Sequence, residues 1–216
     1  MYATDIMRAE HDNIFRFLRA VRALSCQVLE GLPVPVGDYR KIINFARNYA
    51  DHQHHGKEEN FLFDRMVEEL GPIADKLIHH GMLVEHHLCR SYIMDLEAAV
   101  NLYEEEALPI HKLDILAAAE GYATTLHRHM IKENDLVYPL AERSLSREVQ
   151  GEIDTLVEAF ERKTSTEGVQ DHYLAIANEL CDKYGQVEDQ HDKTDRAVSL
   201  SAAFSRANSP RKEVRK

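Results

Sequence analysis

The chain has 216 residues, 44% of them hydrophobic and 29% charged, enough for one domain with a real core and a small appendage. Its net charge of −11 argues against a nucleic-acid partner, because phosphate binding needs a basic face, and no stretch approaches the roughly 20 apolar residues of a membrane span. With 7% aromatics, no Trp, nine Gly and six Pro, the composition suits long helices better than sheets.

Residues 3–30 carry apolar side chains at helical spacing, with Ile6, Met7, Ile14, Leu18, Val21 and Leu29 near one stripe. GLPVPVG at 31–37 breaks that helix. Asp38 is placed to cap a second helix reaching about Leu70. Gly71-Pro72 separates it from a third, which runs to about Ala107, with the Pro in a first turn where a missing N–H costs little. After Leu108-Pro109 a fourth helix extends to about Arg143, kinked or ended by Pro139. Ser146 caps a fifth, to about Lys163; residues 164–168 form a loop and 169–184 a sixth helix. The last eleven residues hold Arg206, Arg211, Lys212, Arg215 and Lys216 against Glu213 alone, which reads as a disordered tail. No strand pattern of any length is present. The expected fold is all-α: an antiparallel up-down four-helix bundle over 1–145, accessory helices at 146–184 packed on it, and a flexible tail at 185–216.

Three widely spaced cysteines, Cys26, Cys89 and Cys181, suit a reducing compartment and form no Cys metal motif. The start, MYATDIMRAEHDN, is amphipathic and charged with no apolar signal region, so the expected location is cytoplasmic.

Histidine is the outlier: ten of the thirteen lie between His52 and His129. Spacing selects among them. Glu10-His11 recurs 75 positions on as Glu85-His86, His54 as His129 and Glu58 as Glu133. Around them His52, Lys57, Leu62 and Phe63 answer to His127, Lys132, Val137 and Tyr138. The residues that repeat best are metal-binding types, whereas a repeated core would repeat its Leu and Ile positions. Residues four apart in a helix lie about 40° apart around its axis and one turn apart along it. His54 and Glu58 therefore reach one interior point, as do His129 and Glu133, while His11 and His86 each add an imidazole. Four imidazoles and two carboxylates crowd one ion but suit two ions sharing two bridging carboxylates. Imidazole with carboxylate and open positions suits Fe, with Mn or Zn less favoured, and the lack of Cys ligands argues against structural zinc. Ferritin-like di-iron bundles use Glu-x-x-His; here order and spacing are both reversed.

AEHDNI at 9–14, HHGKEENFLF at 54–63, VEHHLCR at 84–90 and HMIKENDLVYP at 129–139 resemble the four helix motifs of the hemerythrin-like (HHE cation-binding) domain, over roughly residues 1–145. The resemblance implies a four-helix bundle with a non-haem di-iron centre held by His11, His54, Glu58, His86, His129 and Glu133. Glu58 and Glu133 would bridge two iron ions, with an oxo or hydroxo group completing the core. Oxygen carriers of the family have a fifth histidine one turn before the third-helix ligand; that position is Met82 here, a poor donor for ferric iron, which implies a more open and reactive centre. The family's iron-centre repair proteins carry an added N-terminal cysteine-pair segment, and this chain starts directly at the first helix, which weakens that role.

HHGKEE offers two registers. The 75-residue repeat favours His54 with Glu58, since Met130 and Asn134 stand opposite His55 and Glu59, so His55 and Glu59 are expected to face solvent. His52 and His127, two positions from a ligand, read as surface or interhelical groups; His79 as a polar residue at a bundle end; His80, His87, His111, His172 and His191 as surface. Gly56 marks either close helix approach or simple tolerance. Around the centre, Tyr122, Cys89, Arg90 and Met82 are the candidates for a supporting role, each against a plainer packing reading, and Asp51 is placed to orient an imidazole.

The expected function is binding or reaction with O2, NO or peroxide at the di-iron site, in oxygen or redox sensing or detoxification, with a redox partner protein possible. A dry pocket favours such small neutral ligands. The alternatives are a di-iron oxidoreductase with a defined substrate and an iron-handling or regulatory protein.

Overall fold

The protein is described here from a computed structural model covering residues 1–185. The expectation of a tail falls, beyond residue 185, outside those residues, and so does His191. Among the described residues every element is helical, and the helices join end to end into six continuous stretches. The first is α1 (Tyr2–Leu29). Met7, Ile14, Leu18 and Val21 of its predicted stripe are buried, whereas Ile6 is half-buried and Leu29 is exposed.

The second stretch contains α2 (Val36–Phe45), π-helical turns at Ala46–His55 and Glu58–Phe63, and α3 (Asp64–Leu70). It begins before Asp38, which is not its cap. Asp38 is buried and accepts hydrogen bonds from Lys183 (2.6 Å) and the Tyr184 hydroxyl, so its carboxylate anchors the end of the chain's last described helix instead. Gly71, at φ 65°, makes the expected break. α4 (Pro72–Leu77), a π turn at Ile78–Met82 and α5 (Leu83–Glu105) form the third stretch. The fourth is α6 (Pro109–Lys132), a π turn at Glu133–Val137 and α7 (Tyr138–Ser144). Pro139 neither ends this stretch nor stands alone: it lies in the first turn of α7 and offers no N–H to the carbonyl of Asp135, within the π turn that precedes it. α8 (Arg147–Thr166) starts where Ser146 accepts from the Val149 N–H at 3.3 Å, the predicted cap, and runs three residues past Lys163. α9 is Val169–Tyr184.

α5 lies against α6, where the missing side chain of Gly121 admits the Tyr92 ring; a Cβ there would sit 2.5 Å from it. α1 packs on α6, α8 and α9. Below the site, Met7, Phe63, Met66, Met82, Tyr138 and Ile153 share one apolar cluster, so α8 contributes to the same core as the first four stretches. No helix of the described residues is long and apolar enough to cross a membrane.

Candidate metal centre

The four π turns decide what faces inward. A π turn fits more residues into one turn than an α turn does, so each advances by less than about 100° around the axis and the phase of an ideal helix no longer sorts neighbours into inside and outside. His54 and His55 close the first π turn, Glu58 opens the second and Glu133 opens the fourth. His11, His54, Glu58, His86, His129 and Glu133 all reach one interior region with no exposed surface.

They fall into two half-sites. In the first, His11 Nε2 lies 2.8 Å from His54 Nε2; in the second, His86 Nε2 lies 2.9 Å from His129 Nε2. Each imidazole turns its other nitrogen outward to an oxygen: His11 to Asn134 Oδ1 (2.9 Å), His54 to Glu10 (2.9 Å), His86 to Glu59 (2.6 Å) and His129 to Glu85 (2.9 Å). Those oxygens accept, so each Nδ1 donates and each Nε2 presents a lone pair to the centre. Glu133 spans both halves, with Oε2 3.3 Å from His11 Nε2 and Oε1 2.9 Å from His129 Nε2. Glu58 Oε2 lies 3.5 Å from His86 Nε2 and 3.9 Å from His54 Nε2.

The arrangement fits two cations. Donors at about 2.1 Å from one ion at right angles lie about 3 Å apart, close to the Nε2 pairs seen here. Glu58 Oε2 and both oxygens of Glu133 are buried without a hydrogen-bond donor, a state that native proteins rarely tolerate unless an ion completes it. His11, His54, Glu58 and Glu133 form one group able to hold a metal, and His55, Glu58, His86 and His129 a second.

The second group corrects two expectations. His55 does not face solvent: it is 2% exposed, its ring stacks on His86 at 3.8 Å, and its Nε2 has no hydrogen-bond partner. Glu59 is half-buried and holds His86, with its other contact to Arg90 at 2.7 Å. The 75-residue repeat, with Met130 and Asn134 opposite them, placed both residues outside, and the π turns bring them in. His55 also removes the premise of the argument from Met82, since a fifth imidazole reaches the centre from a different helix. Met82 itself is buried in the apolar cluster. Asp51 does orient an imidazole, but that of His55 (3.3 Å) and not of His54.

Arg90, Cys89 and Tyr122 lie behind the second half-site. Arg90 donates to Asp51 (2.9 and 3.1 Å) and to Glu59, and so ties together the partners of His55 and His86. Cys89 and Tyr122 line, with Asp51, His55, Arg90 and Ile93, a cavity of about 120 Å³. Burial pushes the Cys89 thiol up to about 12, so it stays protonated, and the buried Tyr122 hydroxyl has no hydrogen-bond partner. His127 packs edge-on to Phe15; His52, His80 and His172 are exposed, and His79 (on Asp75), His87 and His111 bond locally.

The first half-site is closed from behind in another way. Lys57 is 0% exposed and bonds Glu10 and, at 2.5 Å, Glu161 of α8; Glu161 also accepts from Gln53 and Gln170. Its repeat counterpart, Lys132, bonds Glu85 and is 43% exposed. Lys57 was visible as a repeated residue, but Glu161 lies beyond the repeat and carries no sequence signal.

Electrostatics without metal follow from this burial. Burial raises Glu58 well above the carboxylate range, and the nearby Glu133 adds to the rise. Burial acts the same way on Glu133, but the imidazoles around it, His129 foremost and then His11 and His86, outweigh burial and hold it low. His129 rises to about 9: burial opposes its charge, but Glu133 and Glu85 favour it more. His54, whose Nε2 stands 3.9 Å from Glu58 Oε2 where that of His129 stands 2.9 Å from Glu133 Oε1, falls well below the usual range through burial and the neighbouring His11. The asymmetry is that of a pair of carboxylates in a dry site, one keeping a proton.

The family described as hemerythrin HHE cation binding domain matches residues 2–141. Neither a search of curated proteins nor one of solved structures returns a match.

Proposed function

The chain belongs to the hemerythrin HHE cation-binding family, and on that footing we propose that it is a di-iron protein of the family's four-helix bundle type which binds or reacts with O2, NO or peroxide. One observation carries the reading: two sets of inward lone pairs, from His11 and His54 and from His55, His86 and His129, flank two buried carboxylates, three of whose oxygens (Glu58 Oε2 and both of Glu133) lack donors. Iron suits the donor set, because neutral imidazole with carboxylate oxygen and no thiolate matches its preferences. When bound, the metal pair would supply electron exchange with a small oxidant.

The protein's own part can be named residue by residue. His11 and His54 would hold one ion, His55, His86 and His129 the other, and Glu58 and Glu133 would span them. Glu10, Asn134, Glu59 and Glu85 fix the imidazole planes. Met7, Phe63 and Met82 help keep water from the floor of the site. The cavity behind His55 has room for a diatomic or a peroxide, and it lies among apolar walls, which favours neutral ligands. Residues 146–184 act in this reading as a cover for the first half-site.

The test is anaerobic ferrous reconstitution with metal counted, then visible spectra through cycles of air and vacuum. Two irons per chain with a charge-transfer band that vanishes on removing O2 mean reversible binding; a band that decays to the ferric form means redox reaction. Fewer than two metals, unaltered by His54→Ala, would end the di-iron reading.

A further inference from the structure

Inside the site the 75-residue repeat breaks in two places that matter chemically. His55 stands opposite Met130, and Tyr138 stands opposite Phe63. Each break adds one polar side chain, and the two additions fall on opposite half-sites. His55 joins His86 and His129. Tyr138 joins His11 and His54: its ring stacks on His11 (5.5 Å, 16° between planes), and its Oη lies 3.3 Å from His11 Nε2 and 2.5 Å from Glu58 Oε1.

These separations resemble those among the donors already described. The paired Nε2 atoms stand 2.8 and 2.9 Å apart, and His11 Nε2 stands 3.3 Å from Glu133 Oε2. Neighbouring ligands of one six-coordinate ion lie about 3 Å from each other when each bond is about 2.1 Å. Tyr138 Oη thus occupies a neighbour's distance from two donors of the first position, and the residue is completely buried. It meets Glu58 at Oε1, while Oε2 of the same carboxylate faces His86.

The geometry points to Tyr138 as a protein ligand of the first metal position, binding ferric iron through its phenolic oxygen as the counterpart of His55 on the second. This rests on the di-iron reading above. Each position then draws on five side chains: His11, His54, Tyr138, Glu58 and Glu133 for the first, His55, His86, His129, Glu58 and Glu133 for the second. Coordination breaks the phenol O–H bond and forms an iron–oxygen bond; the proton leaves to solvent and no electron changes hands. An anionic oxygen is a hard donor and suits ferric over ferrous iron. Reduction to ferrous iron would loosen the phenolate.

Phenolate bound to ferric iron gives a visible charge-transfer band, and exciting that band enhances tyrosine ring modes in resonance Raman. The experiment is to load the full chain with iron, oxidise it, count the metal and record both spectra for the wild type, Tyr138→Phe and Tyr122→Phe. The expected result is two irons in all three proteins, with the band and ring modes present in wild type and Tyr122→Phe and abolished in Tyr138→Phe. Two irons in the wild type without enhanced ring modes would overturn the assignment, as would a band that survives Tyr138→Phe or one lost with Tyr122→Phe. The wild-type spectrum decides the matter even if the Phe variant fails to fold. An iron count below two in the wild type is the separate failure of the di-iron reading, and takes the ligand assignment with it.

Discussion

The two half-sites share a plan and differ in their surroundings. Both turn a pair of imidazole Nε2 atoms inward, and both steady one imidazole with the Glu of a Glu-His step and back that Glu with a Lys. Behind the first half, the lysine is fully buried and bridges to α8. Behind the second, Lys132 reaches solvent, and the supporting layer is the Arg90, Asp51 and Glu59 network beside a cavity. One half is sealed by a later helix and the other remains close to the surface. The lesson is that inner donors can be kept by a repeat while the layer behind them diverges, and that this layer controls burial, charge and access.

The largest break in the contrast is expected from the lysines. Lys57→Met leaves Glu10 and Glu161 facing each other in the interior, and should destabilise the metal-free protein by about 3–5 kcal/mol. Lys132→Met removes a half-exposed pair and should cost less than about 1 kcal/mol. Urea unfolding of the two variants side by side measures this, and equal losses would mean the halves are equally buried in solution. Next in size is metal retention. His55→Ala should weaken the second position by at least roughly tenfold while sparing the first, by analogy with the losses that follow removal of groups supporting a metal. Chelator competition with metal counted per chain would then release one ion well before the other; simultaneous release would place His55 outside the centre.

The smallest effect is a difference in pH dependence between the halves of the metal-free protein. Burial raises Glu10 to about 7 against the pull of Lys57. Between its ordinary 4.5 and about 7, the folded chain therefore holds a proton that the unfolded chain has released, and stability should fall as pH rises through that window. Burial also works to raise Glu59, but hydrogen bonds from His86 and Arg90 prevail and bring it down to about 2. Its contribution is complete above 4.5 and is lost as pH falls from there towards 2. Glu10→Gln should remove the decline between 4.5 and 7, and Glu59→Gln the loss on the acid side, in urea midpoints followed across pH. Interchanged effects would show that the two carboxylates have been assigned the wrong environments.

Much of this was legible in the chain, because metal donors are few in kind and their spacing is constrained. The repeat picked out His11, His54, Glu58, His86, His129 and Glu133, and all six converge. Gly71-Pro72, Leu108-Pro109 and Ser146 marked real boundaries, since each acts through its own backbone geometry or cap. What escaped depended on partners distant in sequence or on backbone that departs from the ideal helix. Asp38 looked like a cap because its role as an anchor needs Lys183 and Tyr184. His55 and Glu59 looked external because Met130 and Asn134 stand opposite them in the repeat, which carries no sign of the π turns that bring them inward. Tyr138 was noticed only as the echo of Phe63; the single hydroxyl separating them has meaning only once His11 and Glu58 are placed beside it.

The bridge from Lys57 to Glu161 has a consequence for the order of synthesis. All six repeated donors lie within the first 133 residues, whereas the carboxylate that seals the first half-site comes 28 positions later. As the chain emerges from its N-terminus, the donors can gather while Lys57 still faces water through the gap that α8 will fill. Until α8 is made, the first half-site therefore lacks the carboxylate that closes it from behind in the finished molecule. A chain cut at residue 141, where the family match ends, would lose that carboxylate together with Leu145, Ile153 and Val157 of the shared core.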